Sequence, residues 1–157
     1  MSKKRFSILN NVLSQIEENI PFKDTENPAI SKATVGWHLD HALKVFNAVC
    51  EWTINSNPKD YKWTFNYWRA ILFPLGYFPR GKVKAPKYVL PPEIIKVEDL
   101  NTQLHTAKNH VEILKTLPKT AYFKHFIFGM LPKKQTLRFL QMHTNHHLKI
   151  AKDILEK

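Results

Sequence analysis

The chain has 157 residues, 43% hydrophobic and 24% charged, a mix that suits one globular core and excludes a disordered chain. Four glycines are too few for a turn-dense all-β fold, and neither GxGxxG nor the GxxxxGK pattern of a phosphate-binding loop occurs. A net charge of +11 favours anionic ligands, but the basic residues are scattered and no recognition module for nucleic acid is visible. A solvated basic surface is the simpler reading, with nucleic acid as an alternative partner.

Phe6, Leu9, Val12, Leu13, Ile16 and Ile20 recur at steps of three and four, which predicts an amphipathic helix over 3–20, stopped by Pro21. The polar residues interleaved in this stretch rule it out as a signal peptide, and no stretch reaches the roughly 20 apolar residues of a membrane helix. Residues 21–32 read as a loop. A second helix begins near Ser31 or Thr34, both able to cap it, and runs to Ile54. Leu39, Leu43, Phe46, Val49 and Cys50 form its apolar side, and Asp40, Lys44, Asn47 and Glu51 its polar stripe. Cys50 is the one cysteine, so no internal disulfide forms and a reducing cytoplasm is expected; its place on the apolar side makes it a buried small hydrophobe.

The aromatic run 63–78 predicts a short helix around 62–73 followed by irregular chain, serving as core and lid rather than as a base-stacking platform. "KVKAPKYVLPPE" is a proline-broken basic loop, long enough to cover a site. Val97, Leu100, Leu104, Ala107, Val111 and Leu114 make the seam of a helix from Val97 to Leu117. "KTAYFKHFIFGM" reads as a connection with a turn at Gly129, and Pro132 suits the first turn of a last helix over 132–156. Four long helices without a convincing strand pair predict an all-α four-helix bundle, one domain over 1–157, with a long connection between the second and third long helices.

The histidines carry the chemistry. At about 100° per residue, Leu137, Leu140, Leu148, Ala151, Ile154 and Leu155 share one side of the last helix. His147 lies inside that sector, His143 at its edge, and His146 outside it. His143 and His147 form an HxxxH pair, one turn apart, so one metal ion can touch both imidazoles. The competing reading is one satisfied core histidine beside a boundary residue. A pair needs a third ligand, and "WHLDH" on the second helix offers His38 and His41; helical angles leave both open. His105 and His110 fall outside the 97–114 seam and are expected to face solvent, and His125 to pack among aromatics.

Three stretches resemble the DinB/YfiT-like superfamily of four-helix metalloproteins, closest to a domain-of-unknown-function branch: "WHLDH", "KHFIFGMLPKKQTLRFLQMHTNHH" and its closing HxxxH pair. The resemblance assigns the second-helix ligand to His41, since Leu39 and Asp40 precede it as the pattern expects, and the last-helix ligands to His143 and His147. It implies a four-helix bundle holding a divalent metal ion, zinc or nickel, and a homodimer. Many branch members carry a tryptophan roughly where Leu137 or Phe139 stands here. The motif around His125 is not a ligand motif, and a structural or supporting role is assigned to it.

Three neutral imidazoles leave a metal with open positions, whereas structural sites are more often closed by four protein ligands. The resemblance implies a thiol S-transferase-like enzyme joining a low-molecular-weight thiol to an electrophile, with Arg80, Lys82, Lys84 and Lys87 placed to receive the thiol's carboxylates. A metal-dependent hydrolase is the alternative, weakened because no carboxylate flanks the HxxxH pair and Asp40 lies on the polar stripe. A non-enzymatic stress-response or nucleic-acid-associated binding protein is a third reading.

Overall fold

The computed structural model describes residues 2–81 and 84–156. Among these the chain is predominantly helical: α1 (Ser2–Asn19), α2 (Val35–Ile54), a short α3 (Tyr67–Leu75), α4 (Val97–Thr116) and α5 (Lys133–Leu155). A two-stranded antiparallel sheet, β1 (Tyr122–His125) and β2 (Gly129–Pro132), precedes α5. No helix of the described residues is long and apolar enough to cross a membrane.

The four long helices lie close to their expected bounds because periodicity and capping agree. Thr34 caps α2, its hydroxyl accepting the Trp37 N–H at 3.2 Å. Glu98 and Asp99 sit in the first turn of α4, where acidic groups suit the helix dipole. At the other end of α4 the Lys133 ammonium donates to the carbonyls of Lys115 (3.0 Å) and Leu117 (2.7 Å). This contact satisfies two C-terminal carbonyls and ties the end of α4 to the start of α5.

The core is built from the predicted faces. Leu9, Leu13 and Ile16 of α1, Leu39, Leu43 and Phe46 of α2, Leu100 and Leu114 of α4, and Leu140 and Ala151 of α5 are fully or almost fully buried. Helix α2 packs along α4 and α5, and α1 packs along the same two helices from the opposite side. Gly36 lets the start of α2 approach closely: its N–H donates to the Lys23 carbonyl at 2.7 Å, and a β-carbon there would meet that oxygen at 2.8 Å.

Several departures from expectation bear on the site. Residues 122–132 are not a plain connection but a hairpin, with Phe123 paired to Leu131 and His125 to Gly129. Its three-residue loop ends at Gly129, whose φ of 70° is the left-handed conformation that such loops demand. Four-residue strands are too short for a two-residue alternation to show in the sequence.

The short helix is shifted to 67–75, where Asn66 caps it and Gly76 ends it. Of the aromatic run, Trp63, Phe65, Tyr67, Trp68 and Tyr77 are exposed rather than core. Below them Arg69 is buried and donates to the carbonyls of Thr64, Phe128 and Met130, bracing α3 against the hairpin.

The polar stripe of α2 is only partly in water: Glu51 is exposed, Lys44 and Asn47 are half-buried. Asp40 is buried, paired with Lys44 at 2.6 Å and accepting from the Gln103 amide at 2.7 Å. Asn47 donates to the Gln103 carbonyl, and its own carbonyl oxygen lies 3.0 Å from Nδ1 of His110. The stripe is therefore a hydrogen-bonded seam against α4. His110, expected in solvent, is buried in it because a partner on the neighbouring helix repays its desolvation; His105 is exposed as expected.

Candidate metal centre

Four imidazoles meet where α2 faces α5. His38 and His41 come from α2 and His143 and His147 from α5, each pair on one helical face because three- and four-residue steps close one turn. One nitrogen from each of His41, His143 and His147 lies within 4.8 Å of the other two. Their ring centroids stand 5.3 Å apart for His41 and His143, 4.6 Å for His41 and His147, and 4.8 Å for His143 and His147. That spacing suits side chains that can close on one ion.

Hydrogen bonds to the far ring nitrogens orient the cluster. Nδ1 of His41 donates to the Val89 carbonyl at 2.9 Å. A carbonyl can only accept, so the proton of the neutral ring is on Nδ1 and the Nε2 lone pair is free. The same segment is held to α2 by Lys44, which donates to the Leu90 carbonyl at 3.2 Å.

His147 is oriented by His38: their Nδ1 atoms are 3.0 Å apart, and Nε2 of His38 is 3.0 Å from the Ser31 hydroxyl. That hydroxyl oxygen also accepts the Ala33 N–H at 3.1 Å. One proton order along this chain frees a ligand nitrogen. His147 Nδ1–H donates to His38, His38 Nε2–H donates to Ser31, and the His147 Nε2 lone pair stays open. His38 thus lies outside the three-histidine group and contacts a member of it, a placement that the helical angles of α2 could not reveal.

The electrostatics keep these rings neutral. Burial drives His143 and His147 well below the usual imidazole range, and the neighbouring imidazoles add repulsion against any charge. Burial likewise lowers His38 to about 4. His41 is lowered by burial, with the Val89 carbonyl and Asp40 opposing. Crowded neutral imidazoles with free lone pairs are costly as cations and well suited to a divalent ion, so the donor set fits a metal.

The cluster forms part of the wall of a cavity of about 1130 Å³, near the upper end for small-molecule sites. Trp37, Trp52, Tyr88, Phe123, Phe128 and Phe139 are among the residues that line it. Among the described residues no Asp or Glu lines it. Of the basic loop, Lys84 lines the cavity, Lys87 is exposed elsewhere, and Arg80 is paired with Asp153 at 2.5 Å; Lys82 lies outside the described residues. Lys124 of β1, which sequence reasoning did not single out, joins Lys84 in the lining.

His146 is half-buried and also lines the cavity, so it is not the outward neighbour that the helical angle suggested, although it stays outside the three-histidine group. His125 packs among aromatics as expected and lines the same cavity. Phe139 stacks on His143 with centroids 5.8 Å apart. Cys50 is fully buried, and desolvation pushes its thiol far up, which leaves it inert.

Fold and site together define a predominantly helical protein with a three-histidine group, able to hold a metal ion, on the wall of an aromatic cavity. The family model described as "Protein of unknown function (DUF1569)" matches residues 31–153, and the chain belongs to this family. The match begins at Ser31 and contains every residue of the histidine cluster. No curated protein and no solved structure matches the chain.

Proposed function

We propose that His41, His143 and His147 hold a divalent metal ion, zinc or nickel, in a four-helix framework of the DinB/YfiT-like type. On this reading the protein is a metal-dependent, thiol S-transferase-like enzyme acting on a small molecule in a reducing cytoplasm. The observation that carries it is the convergence of three neutral imidazoles on the wall of a large aromatic cavity lined by no described carboxylate. A tri-histidine divalent ion supplies Lewis acidity, stabilising the deprotonated form of a thiol at neutral pH.

The chain's own residues do the rest. Val89 and the His38–Ser31 pair fix ring orientation, so little reorganisation is needed on binding. The aromatic walls exclude water and hold an apolar electrophile, and Lys84 and Lys124 offer charge to a thiol's carboxylates. Hydrolysis fits less well, because a hydrolase needs a general base and the cavity presents no described carboxylate for it.

The test has two parts. Elemental analysis of untagged protein should find about one divalent ion per chain. Metal-loaded protein is then screened with several low-molecular-weight thiols against a chloronitroarene electrophile. Turnover lost on substitution of His41 supports the transferase reading. Ester hydrolysis without thiol turnover would replace it with the hydrolase, and metal-free protein with salt-steep DNA affinity would replace it with the binding protein.

A further inference from the structure

His125 does something that neither its packing nor the metal requires. It closes the hairpin: its Nδ1 accepts the backbone N–H of Ile127 at 3.0 Å and that of Phe128 at 3.2 Å. A nitrogen that accepts two N–H donors carries no proton, so the proton of the neutral ring sits on Nε2. The turn itself dictates this tautomer, and protonating Nδ1 would break both contacts. Phe126 and Phe128 stack on the ring, each with centroids 4.6 Å away. Burial also lowers the pKa to about 4, so the ring is a neutral donor at physiological pH.

Among the described residues nothing partners Nε2, and His125 lines the cavity. Its ring stands 5.0 Å from that of Phe139, which in turn stacks on His143. A fixed N–H donor thus stands one aromatic ring away from the histidine cluster in an otherwise largely apolar wall. The Nε2 atom keeps access to solvent, so a ligand acceptor that meets it takes the place of water on a donor whose direction the turn has already fixed.

We infer that the cavity binds a bulky aromatic or otherwise apolar molecule bearing a carbonyl-type oxygen, and that His125 Nε2–H donates to that oxygen. The apolar body lies against Phe123 and Phe128, which supply area but no polar preference. This deepens the proposed function by naming the second substrate's class, and it rests on the cavity being the working site.

The variant that separates the turn from the donor is His125→Asn. Asparagine places its Oδ1 where Nδ1 stood, so it can accept the same two N–H groups, while its amide nitrogen falls at the Cδ2 position and short of Nε2. The probes are 2-acetylnaphthalene and its hydrocarbon counterpart 2-ethylnaphthalene, titrated into the full chain as purified and read by quenching of the cavity tryptophans Trp37, Trp52 and Trp68. In His125→Asn the ketone should weaken about fivefold to tenfold, and the hydrocarbon should stay within about twofold.

Equal weakening of both probes, or of neither, overturns the proposal. Nitrogen-15 histidine spectra of the unmutated chain give a readout that needs no variant. The His125 proton should sit on Nε2 and move downfield with the ketone but not with the hydrocarbon; a proton on Nδ1 overturns the proposal. Metal content is measured on the same sample. Ketone discrimination lost with metal present sinks only this inference, and discrimination kept without metal sinks only the metal reading.

Discussion

Helix α2 carries polar groups on two flanks, and they end in opposite conditions. Toward α4, the seam around Asp40, Asn47 and His110 is largely paired within the protein: Asp40 meets Lys44 and Gln103, Asn47 meets Gln103 and His110, and Gln103 Oε1 is left buried without a partner. Toward α5, His41 and His147 are held by one nitrogen each while the other is left without a protein partner. Buried polar groups that answer one another define packing and register. Buried polar groups satisfied on one side only, on a cavity wall, are waiting for something else. His110 and His41 differ in this respect and not in residue type.

The largest effect should come from the open flank. His143→Ala and His147→Ala should each abolish stoichiometric metal, read by elemental analysis, because two imidazoles cannot match three for a divalent ion. Stoichiometric metal in both variants would erase the distinction between the flanks. His38→Ala keeps all three candidate ligands and removes the brace on His147. It should weaken metal binding about 10–100-fold in competition with a chelating dye, while secondary structure by circular dichroism is unchanged.

Acid should reach the histidine end of the molecule selectively. His38 and His125 have folded values of about 4 against an ordinary 6.5, so between these limits the unfolded chain takes up protons that the folded chain refuses. Their contribution to stability is complete above about pH 6.5, falls as pH drops toward about 4 and is then spent. Thermal melts of the metal-free protein should show a decline in that window, and a flat profile across it would mean that these rings are not buried neutral.

The closed flank predicts stability without function. Asn47→Ala strands the His110 nitrogen and should cost about 1–3 kcal/mol in denaturant unfolding with metal content unaltered. The smallest effect is expected for His146→Ala. That ring lies outside the three-histidine group, so metal content should stay the same and stability should move by less than about 1 kcal/mol.

Much of this was legible in the residues. The apolar periodicities of α1, α2, α4 and α5 place the long helices, because a 3.6-residue repeat over five turns is hard to mistake. His143 and His147 come to one side by spacing alone. The hairpin was not legible, since its two strands are four residues each and its order comes from Gly129, the His125 acceptor and the Arg69 brace. The partners of the α2 stripe and of His110 were not legible either, because polar patterning reports which residues are polar and not whether a neighbouring helix will answer them.

By itself, then, the sequence determined the helices, their buried faces and the pairing of histidines within each helix, all of which follow from local geometry repeated along one axis. Only the tertiary structure decided which imidazoles converge, which nitrogen of His41 is free, and that His38 contacts His147 and Ser31 while His41 joins the three-histidine group. The two are three residues apart on one helix and equally buried. What separates them is contact with Val89 and with Ser31 and His147, residues 48, 7 and 109 positions away along the chain, and no periodicity encodes such distances.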